Sequence, residues 1–261
     1  MLGLGLRLGT GRRPFDPRRL FAGGVAGGWY DPGAPGATFA DAGATVPAVA
    51  DGPVARLADL SGQGNHLIQA NAAARPLLRR DGSGRAWLEL DGEDDFLPSA
   101  APALRITGDL TAIVAVGRAS DGRYDIWASA QTGAAQVNQY EIRTEPDGGL
   151  EFVASGLGEF EVDGGGPANR TPAGATRVLS VVRSGGRVRL DAGGGEVTAA
   201  HGTMPVADAQ SEFRLGARKG SPLFARGRVH AALLIGRALS AAELRAAREF
   251  LAARAGVGRM A

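Results

Sequence analysis

The chain has 261 residues, a formal net charge of +2, no cysteine and 44% hydrophobic residues. Without cysteine, disulfides, thiolate catalysis and cysteine-bound zinc are excluded, a composition that suits a reducing cytoplasm. No apolar run approaches the roughly 20 residues of a membrane helix, so we expect a soluble protein without membrane insertion. The few excess basic residues are mixed with acidic ones, which argues against a nucleic-acid partner.

The sequence carries no recognisable metal or cofactor motif. The histidines His66, His201 and His230 lie far apart and lack metal-ligand spacing. The glycine triplets at 164–166 and 193–195 lack the Lys and Ser or Thr that phosphate binding requires. We therefore expect no metal and no cofactor.

The amino-terminal segment is predicted to be an arm. Residues 1–14 are rich in Gly and Leu, are basic, and show no periodicity, so they cannot bury enough apolar surface to order themselves. Their order, with Arg12 and Arg13 after the Leu/Gly run, is opposite to that of a secretion signal, and we expect none. The predicted organisation is an anchoring arm with a short helix over 1–24 and one domain over 25–261.

Two helices are predicted, one at each end of that domain. Asp16 before Pro17 is a typical helix start, and the following turn ends at glycines. Near the carboxyl end, Ser240 and Glu243 form a capping box, and Gly256 marks the end of a predicted helix over 240–255. The apolar stripe of this helix consists of Leu244, Ala247 and Leu251.

Between the helices, short apolar runs alternate with Gly, Asp, Asn and Pro clusters, which is typical of antiparallel strands. The sequence therefore predicts an all-β fold, a two-sheet antiparallel sandwich. The turn Ser184–Gly186 predicts a tight hairpin. The clearest predicted strands are 87–91, 110–118, 123–130, 137–144, 150–154, 177–183, 187–191, 213–216 and 228–235.

Several segments carry a resemblance to a known family. GGWYDPGAPGATFADAGATVPAVADGPVARLADLSGQGNH (27–66), AAARP (72–76), WLELDGEDDF (87–96) and the closing LAARAGV follow one another in this order. In that order they resemble laminin-G-like domains of tail, fibre and head-spike proteins of tailed phages and prophages. The leading LGLGLRLGTG is similar to the starts of such proteins, and head spikes of phage-like gene transfer agents are a special case.

The resemblance implies that the sandwich is a jelly roll of the concanavalin A-like type, carried on a virion, assembled in the bacterial cytoplasm and used for host attachment. Its implied partners are surface or capsular polysaccharide, other virion proteins through the arm, and further copies of itself in the particle. Some laminin-G relatives hold Ca²⁺, but their ligand pattern has no match here, and no metal is assigned.

A strand with alternating carboxylates is the candidate for catalysis. Glu89, Asp91 and Glu93 resemble the nucleophile, helper and acid of glycoside hydrolases with this fold. Alternate residues share a face at about 6.6 Å per step, within reach of the roughly 5–5.5 Å of a retaining pair. However, Gly92 predicts a turn that swings Glu93 off the strand. We therefore expect Leu88 and Leu90 to face the core, the acids to face water, and the protein not to be an enzyme.

The carbohydrate-binding candidates lie on two successive strands. If Tyr124, Ile126 and Ala128 face the core, Trp127 is exposed beside Asp125. An exposed Trp near polar groups is a platform for a sugar ring, and an intersubunit contact is the alternative. Asn138 and Tyr140 of the following strand complete the predicted platform. The Trp29–Tyr30 pair is expected in the core.

Three hypotheses follow. The first is a virion structural protein that binds host glycan, the second is a polysaccharide-degrading glycoside hydrolase that uses Glu89 and Asp91, and the third is an architectural virion subunit.

Overall fold

The structure, a computed structural model, describes residues 14–133, 138–154, 161–163, 169–200 and 210–258, with the backbone alone at 138 and 161–163. Three short 3₁₀ segments lie at Pro17–Gly24, Ala72–Ala74 and Pro102–Leu104. The strands and the α-helix are β1 (Gly27–Tyr30), β2 (Thr38–Phe39), β3 (Arg56–Leu57), β4 (Leu67–Ile68), β5 (Leu77–Arg80), β6 (Ala86–Asp91), β7 (Leu97–Ser99), β8 (Leu110–Arg118), β9 (Asp125–Gln131), β10 (Asn138–Thr144), β11 (Leu150–Val153), β12 (Glu161–Asp163), β13 (Thr176–Ser184), β14 (Arg187–Asp191), β15 (Val197–Ala200), β16 (Glu212–Leu215), β17 (Arg226–Ile235) and α1 (Ala241–Ala255).

Two large antiparallel sheets form the sandwich. One has eight strands, in the order β15-β14-β13-β8-β17-β6-β5, with β1 added along β17. The other has six strands, in the order β12-β11-β10-β9-β16-β7. A small sheet of β2, β3 and β4 lies beside them. The predicted two-sheet antiparallel sandwich is confirmed.

Two apolar layers hold the fold together. The inner core lies between the sheets and contains Leu88, Val114, Tyr140 and Phe213 among many others. A second core lies between the outer face of the eight-stranded sheet and α1, where Leu244, Ala247 and Leu251 of the helix are buried. The eight-stranded sheet is therefore apolar on both faces.

The predicted local signals appear as expected. Gly185 and Gly186 adopt φ of 57° and 73° between β13 and β14, so the predicted hairpin is confirmed. Ser240 and Glu243 form the capping box of α1, and Gly256 ends it with a left-handed φ of 68°.

The start of the described chain packs onto the second core. Asp16 accepts a hydrogen bond from the Arg18 N–H at 3.0 Å, and the short helix that it caps is of the 3₁₀ type. Leu20 and Phe21 are buried beside α1. Residues 1–13 lie outside the described part, so the anchoring arm and the boundary after residue 24 stay predictions. In the described part, no helix has both the length and the apolar composition to cross a bilayer.

Candidate functional site

The predicted carbohydrate platform is not on the surface. Asp125, Trp127 and Tyr140 are each 0% exposed. Asn138 lies in β10 opposite Gln131, and its side chain is outside the described residues. The prediction of an exposed Trp127 flanked by Asp125 and Tyr140 is therefore wrong.

A β-bulge explains the error at Trp127. The pairing of β9 with β10 shifts register where Ile142 lies opposite Ala128 and Arg143 lies opposite Ile126, so Trp127 is the extra residue. A bulge places two consecutive residues against one on the partner strand and breaks the alternation of faces. Trp127 and Ala128 consequently both join the inner core, where Trp127 Nε1 donates to Thr144 Oγ1 at 3.2 Å.

Asp125 and Tyr140 have structural partners. Asp125 accepts from Arg118 Nε at 2.9 Å and from the Arg226 N–H at 2.9 Å. Burial raises the pKa of Asp125 above its ordinary value, against the lowering effect of these bonds. The Tyr140 hydroxyl donates to the Leu104 carbonyl at 2.7 Å, and burial raises its pKa. Both side chains therefore hold the sandwich together.

The carboxylates of β6 each accept a local hydrogen bond. Leu88 and Leu90 are buried in the core as predicted. Glu89 accepts from Trp87 Nε1 at 2.7 Å, and Asp91 Oδ1 accepts from the Glu93 N–H at 2.8 Å in the turn that follows.

Gly92 lies in that turn with φ of 80°, which takes Glu93 out of the strand. Asp91, Asp94 and Asp95 bring carboxylate oxygens within 4.8 Å of one another. Burial, then the Asp91 charge, raise the pKa of Asp95 to about 6. Asp95 accepts from the Asp91 N–H at 3.1 Å, so the three acids form a hydrogen-bonded turn.

The outer face of the six-stranded sheet holds four charged side chains that contact one another, which we name the charge cluster: Glu141, Arg143, Glu151 and Arg218. Glu141 and Arg143 alternate along β10 with Tyr140 and Ile142 of the inner core, so they point outward. Arg143 forms a bidentate pair with Glu151, at 2.6 and 2.7 Å. These residues are at most 9% exposed.

A cavity of about 180 Å³ adjoins the charge cluster. We name it the Gln131 cavity; its lining residues are Gln131, Gly133, Arg218, Lys219, Gly220, Ser221 and Pro222. Its volume is below the roughly 300–1,000 Å³ of sites for drug-sized ligands, so it suits a group no larger than one sugar ring.

Two chain segments build the wall of this cavity. The segment after β16 folds over the outer face, where Ser129 Oγ donates to the Ala217 carbonyl and Gln131 Nε2 to the Lys219 carbonyl. A Cβ on Gly220 would lie 2.4 Å from the Gly133 carbonyl oxygen, and φ of Gly220 is 73°. Only glycine allows this close approach.

Two polar groups of the cavity lack partners in the described part of the chain. Gln131 is 1% exposed, and its Oε1 accepts no hydrogen bond from a described residue. Arg218 uses Nε and Nη2 to bind Glu141, and its Nη1 makes no hydrogen bond to a described residue. An unpaired buried acceptor costs about 1–3 kcal/mol, so a ligand hydroxyl at Gln131 would recover that energy.

The sequence reasoning missed this site because its residues come from the ends of β9 and β16, which are distant in the chain. The turn RKGSP (218–222), which contains the only lysine of the protein, was the available signal.

No family model and no curated protein matches the chain. Solved structures do match. Trypanosoma rangeli sialidase in complex with sialic acid is 12% identical with a TM-score of 0.57, over 88% of this chain and 33% of that chain. Ruminococcus gnavus IT-sialidase CBM40 bound to alpha2,3 sialyllactose is 14% identical with a TM-score of 0.53, over 66% and 98%. The likeness shows the fold alone.

These matches correct one prediction and leave another untested. The chain spans about a third of the length of the Trypanosoma rangeli sialidases, which are enzymes. Because enzymes share this fold, the prediction that the protein is not an enzyme is wrong as far as it rests on the fold. The concanavalin-like fold of the family resemblance agrees with the matches, and its phage part stays a prediction.

Proposed function

We propose that the protein binds carbohydrate on the outer face of its six-stranded sheet, with one sugar residue in the Gln131 cavity. The observation that carries the proposal is the pair of unpartnered groups in that cavity, an acceptor on Gln131 and a donor on Arg218. A sugar hydroxyl can donate and accept, so one ring can satisfy both.

The neighbours supply independent support for this class of ligand. A CBM40 with the same fold is solved with alpha2,3 and with alpha2,6 sialyllactose. Lys219 carries a positive charge at the cavity, while the charge cluster is internally neutral. The cavity therefore favours a glycan whose terminal residue carries hydroxyl groups together with a carboxylate.

More specifically, we propose that the protein is a virion component, of head-spike or tail-fibre type, that attaches to host surface or capsular polysaccharide. The resemblance of residues 27–66 to phage laminin-G-like domains supports it. The arm would contact other virion proteins, assembly would take place in the bacterial cytoplasm, and several copies per particle would multiply a weak single-site affinity.

The test is a glycan array and a capsular-polysaccharide pull-down with the full chain displayed on beads. We expect capture, and Gln131→Leu should weaken it roughly tenfold because a hydrogen bond at a buried group is lost. Arg214→Gln is the matched control, since Arg214 lies on β16 outside the cavity. No capture of any glycan, or equal capture by the Gln131 variant, would overturn the proposal.

The same polysaccharide incubations test the hydrolase hypothesis. Chain length is followed by gel filtration. Shortened chains would support a glycoside hydrolase, and Glu89→Gln and Asp91→Asn would then show whether the carboxylates of β6 take part.

A further inference from the structure

A groove lies on the opposite side of the sandwich from the Gln131 cavity. It has a volume of about 920 Å³ and runs between α1 and the loop that joins β14 to β15. We name it the α1 groove; its lining residues are Arg189, Asp191, Gly193, Gly194, Gly195, Glu196, Ala241, Leu244, Arg245, Arg248 and Glu249. Because α1 packs on the eight-stranded sheet, a ligand here would not compete with a ligand on the six-stranded sheet.

Asp191 fixes one wall of the groove by joining the loop to α1. Its carboxylate accepts from the Gly193 N–H and pairs with Arg248 of the helix. Burial raises the pKa of Asp191, but the bonds from Arg248 and the glycine N–H groups outweigh it, so the pKa lies below its ordinary value. The loop and the helix are thus joined through one ionised group.

Two arginines of α1 keep unused donors in the groove. Arg248 gives Nη1 to Asp191, and its Nη2 makes no hydrogen bond to a described residue. Arg245, one helical turn earlier, is exposed and forms no hydrogen bond or ion pair within the same described ranges. Arg189, by contrast, is paired with Glu196 at 3.4 Å. The free donors belong to cations, so they suit a ligand that presents carboxylates.

The rest of the lining discriminates among anionic ligands. None of the lining residues is aromatic, so the groove offers no stacking surface for a sugar ring. Glu196 and Glu249 also line the groove, and their negative charge disfavours a continuous polyanion. Leu244 and Ala241 add an apolar strip, and three successive glycines leave room for a second backbone.

We propose that the α1 groove is a docking site for an extended acidic peptide segment of a partner protein, with carboxylates of the peptide bound by Arg245 and Arg248. This surface is separate from the glycan site and goes beyond the proposed function. A glycan on one face and a protein on the other would make the sandwich an adaptor.

The test uses the full chain and a fluorescein-labelled peptide, Gly-Glu-Ala-Glu-Gly-Ala-Gly, with the Gln-for-Glu peptide as its comparator. Fluorescence polarisation should show binding of the Glu peptide and at least roughly tenfold weaker binding of the Gln peptide, because charge-assisted hydrogen bonds are lost. Binding should weaken as salt rises.

The variants locate the site. Arg245→Gln should weaken peptide binding roughly fivefold, as expected for one exposed ion pair, without changing the melting temperature. Arg248→Gln should weaken it roughly tenfold, because a largely buried donor is lost. Arg80→Gln removes the same charge from an exposed position at the far edge of the sheet and should change nothing.

Several results would overturn the docking proposal. They are equal binding of the Glu and Gln peptides, absence of binding at about 1 mM peptide, or unchanged binding by Arg245→Gln. Loss of glycan capture in the arginine variants would also overturn it, since the groove would then be part of a carbohydrate site. The Gln131→Leu variant should show weaker glycan capture and unchanged peptide binding, so it tests the glycan site alone.

Discussion

Arg218 and Glu141 form a bidentate ion pair on the outer face of the six-stranded sheet. Arg218 Nε donates to Glu141 Oε2 at 2.7 Å, and Nη2 donates to Oε1. Glu141 is 0% exposed and also accepts from Arg143 Nη1 at 3.3 Å. Glu141 therefore positions the guanidinium whose Nη1 remains available at the Gln131 cavity.

We predict that Glu141→Gln destabilises the protein and weakens glycan capture. Removing one partner of a buried pair leaves an uncompensated charge, and the expected loss in unfolding free energy is about 3 kcal/mol. Urea denaturation measures this loss. Arg214→Gln, with a half-buried pair to Glu212, should cost below about 1 kcal/mol. Equal effects of the two substitutions would contradict the assigned difference between the pairs.

Substitutions of Trp127 are expected to change the stability of the protein but not its glycan binding. Because it is fully buried in the inner core, Trp127→Ala should lower the unfolding free energy by about 3–5 kcal/mol. Trp127→Phe keeps most of the packing and loses the bond to Thr144, so it should cost about 2 kcal/mol. Glycan capture by the folded Phe variant should equal that of the natural protein. Weaker glycan capture at unchanged stability would instead support the hypothesis that Trp127 stacks on a sugar ring.

The sequence predicted the architecture more reliably than the site. The strands predicted at 110–118 and 187–191 have the same bounds in the structure, because period-two patterning and glycine turns are local signals. The bulge at Trp127 depends on how β9 and β10 pair, which no local pattern encodes. The Gln131 cavity depends on the contact of Gly133 with Gly220, which only the fold brings together.

Asp59 is predicted to be essential for the loop 59–66. Its two oxygens accept from the backbone N–H groups of Trp29, Ser61 and Asn65 at 2.8–3.0 Å and from Ser61 Oγ at 2.7 Å. Asp59→Ala leaves these buried donors unpaired and should cost at least about 3 kcal/mol in chemical denaturation. Asp41→Ala, in an exposed turn with a similar set of bonds, should cost much less, because water can replace the lost acceptor. Equal losses of unfolding free energy in the two variants would contradict the role of burial at Asp59.

His230 is predicted to make stability depend on pH. It is 5% exposed and packs on Trp87, and neither ring nitrogen has a hydrogen-bond partner in the described residues. Burial, then the charges of Arg228 and Arg85, lower its pKa to about 4, against the opposing effect of Asp81. The folded state therefore favours the neutral ring.

The direction of the effect follows from linkage. Between pH 6.5 and 4 the unfolded chain binds a proton at His230 that the folded chain does not, so stability falls as pH falls through this window. A shift of this size corresponds to about 3 kcal/mol. Asp95 acts in the opposite direction between about pH 6 and 4, because its raised pKa lets the folded state bind a proton first.

Urea denaturation from pH 7.5 to 4 separates the contributions of His230 and Asp95 to stability. Relative to the natural protein, His230→Leu should lose less stability on acidification, by about 3 kcal/mol at pH 4. Asp95→Asn should instead lose more, because the stabilising protonation of Asp95 is removed, whereas the exposed Arg80→Gln should leave the profile unchanged. Parallel pH profiles for the His230 variant and the natural protein would show that the buried imidazole is not the source of the acid sensitivity.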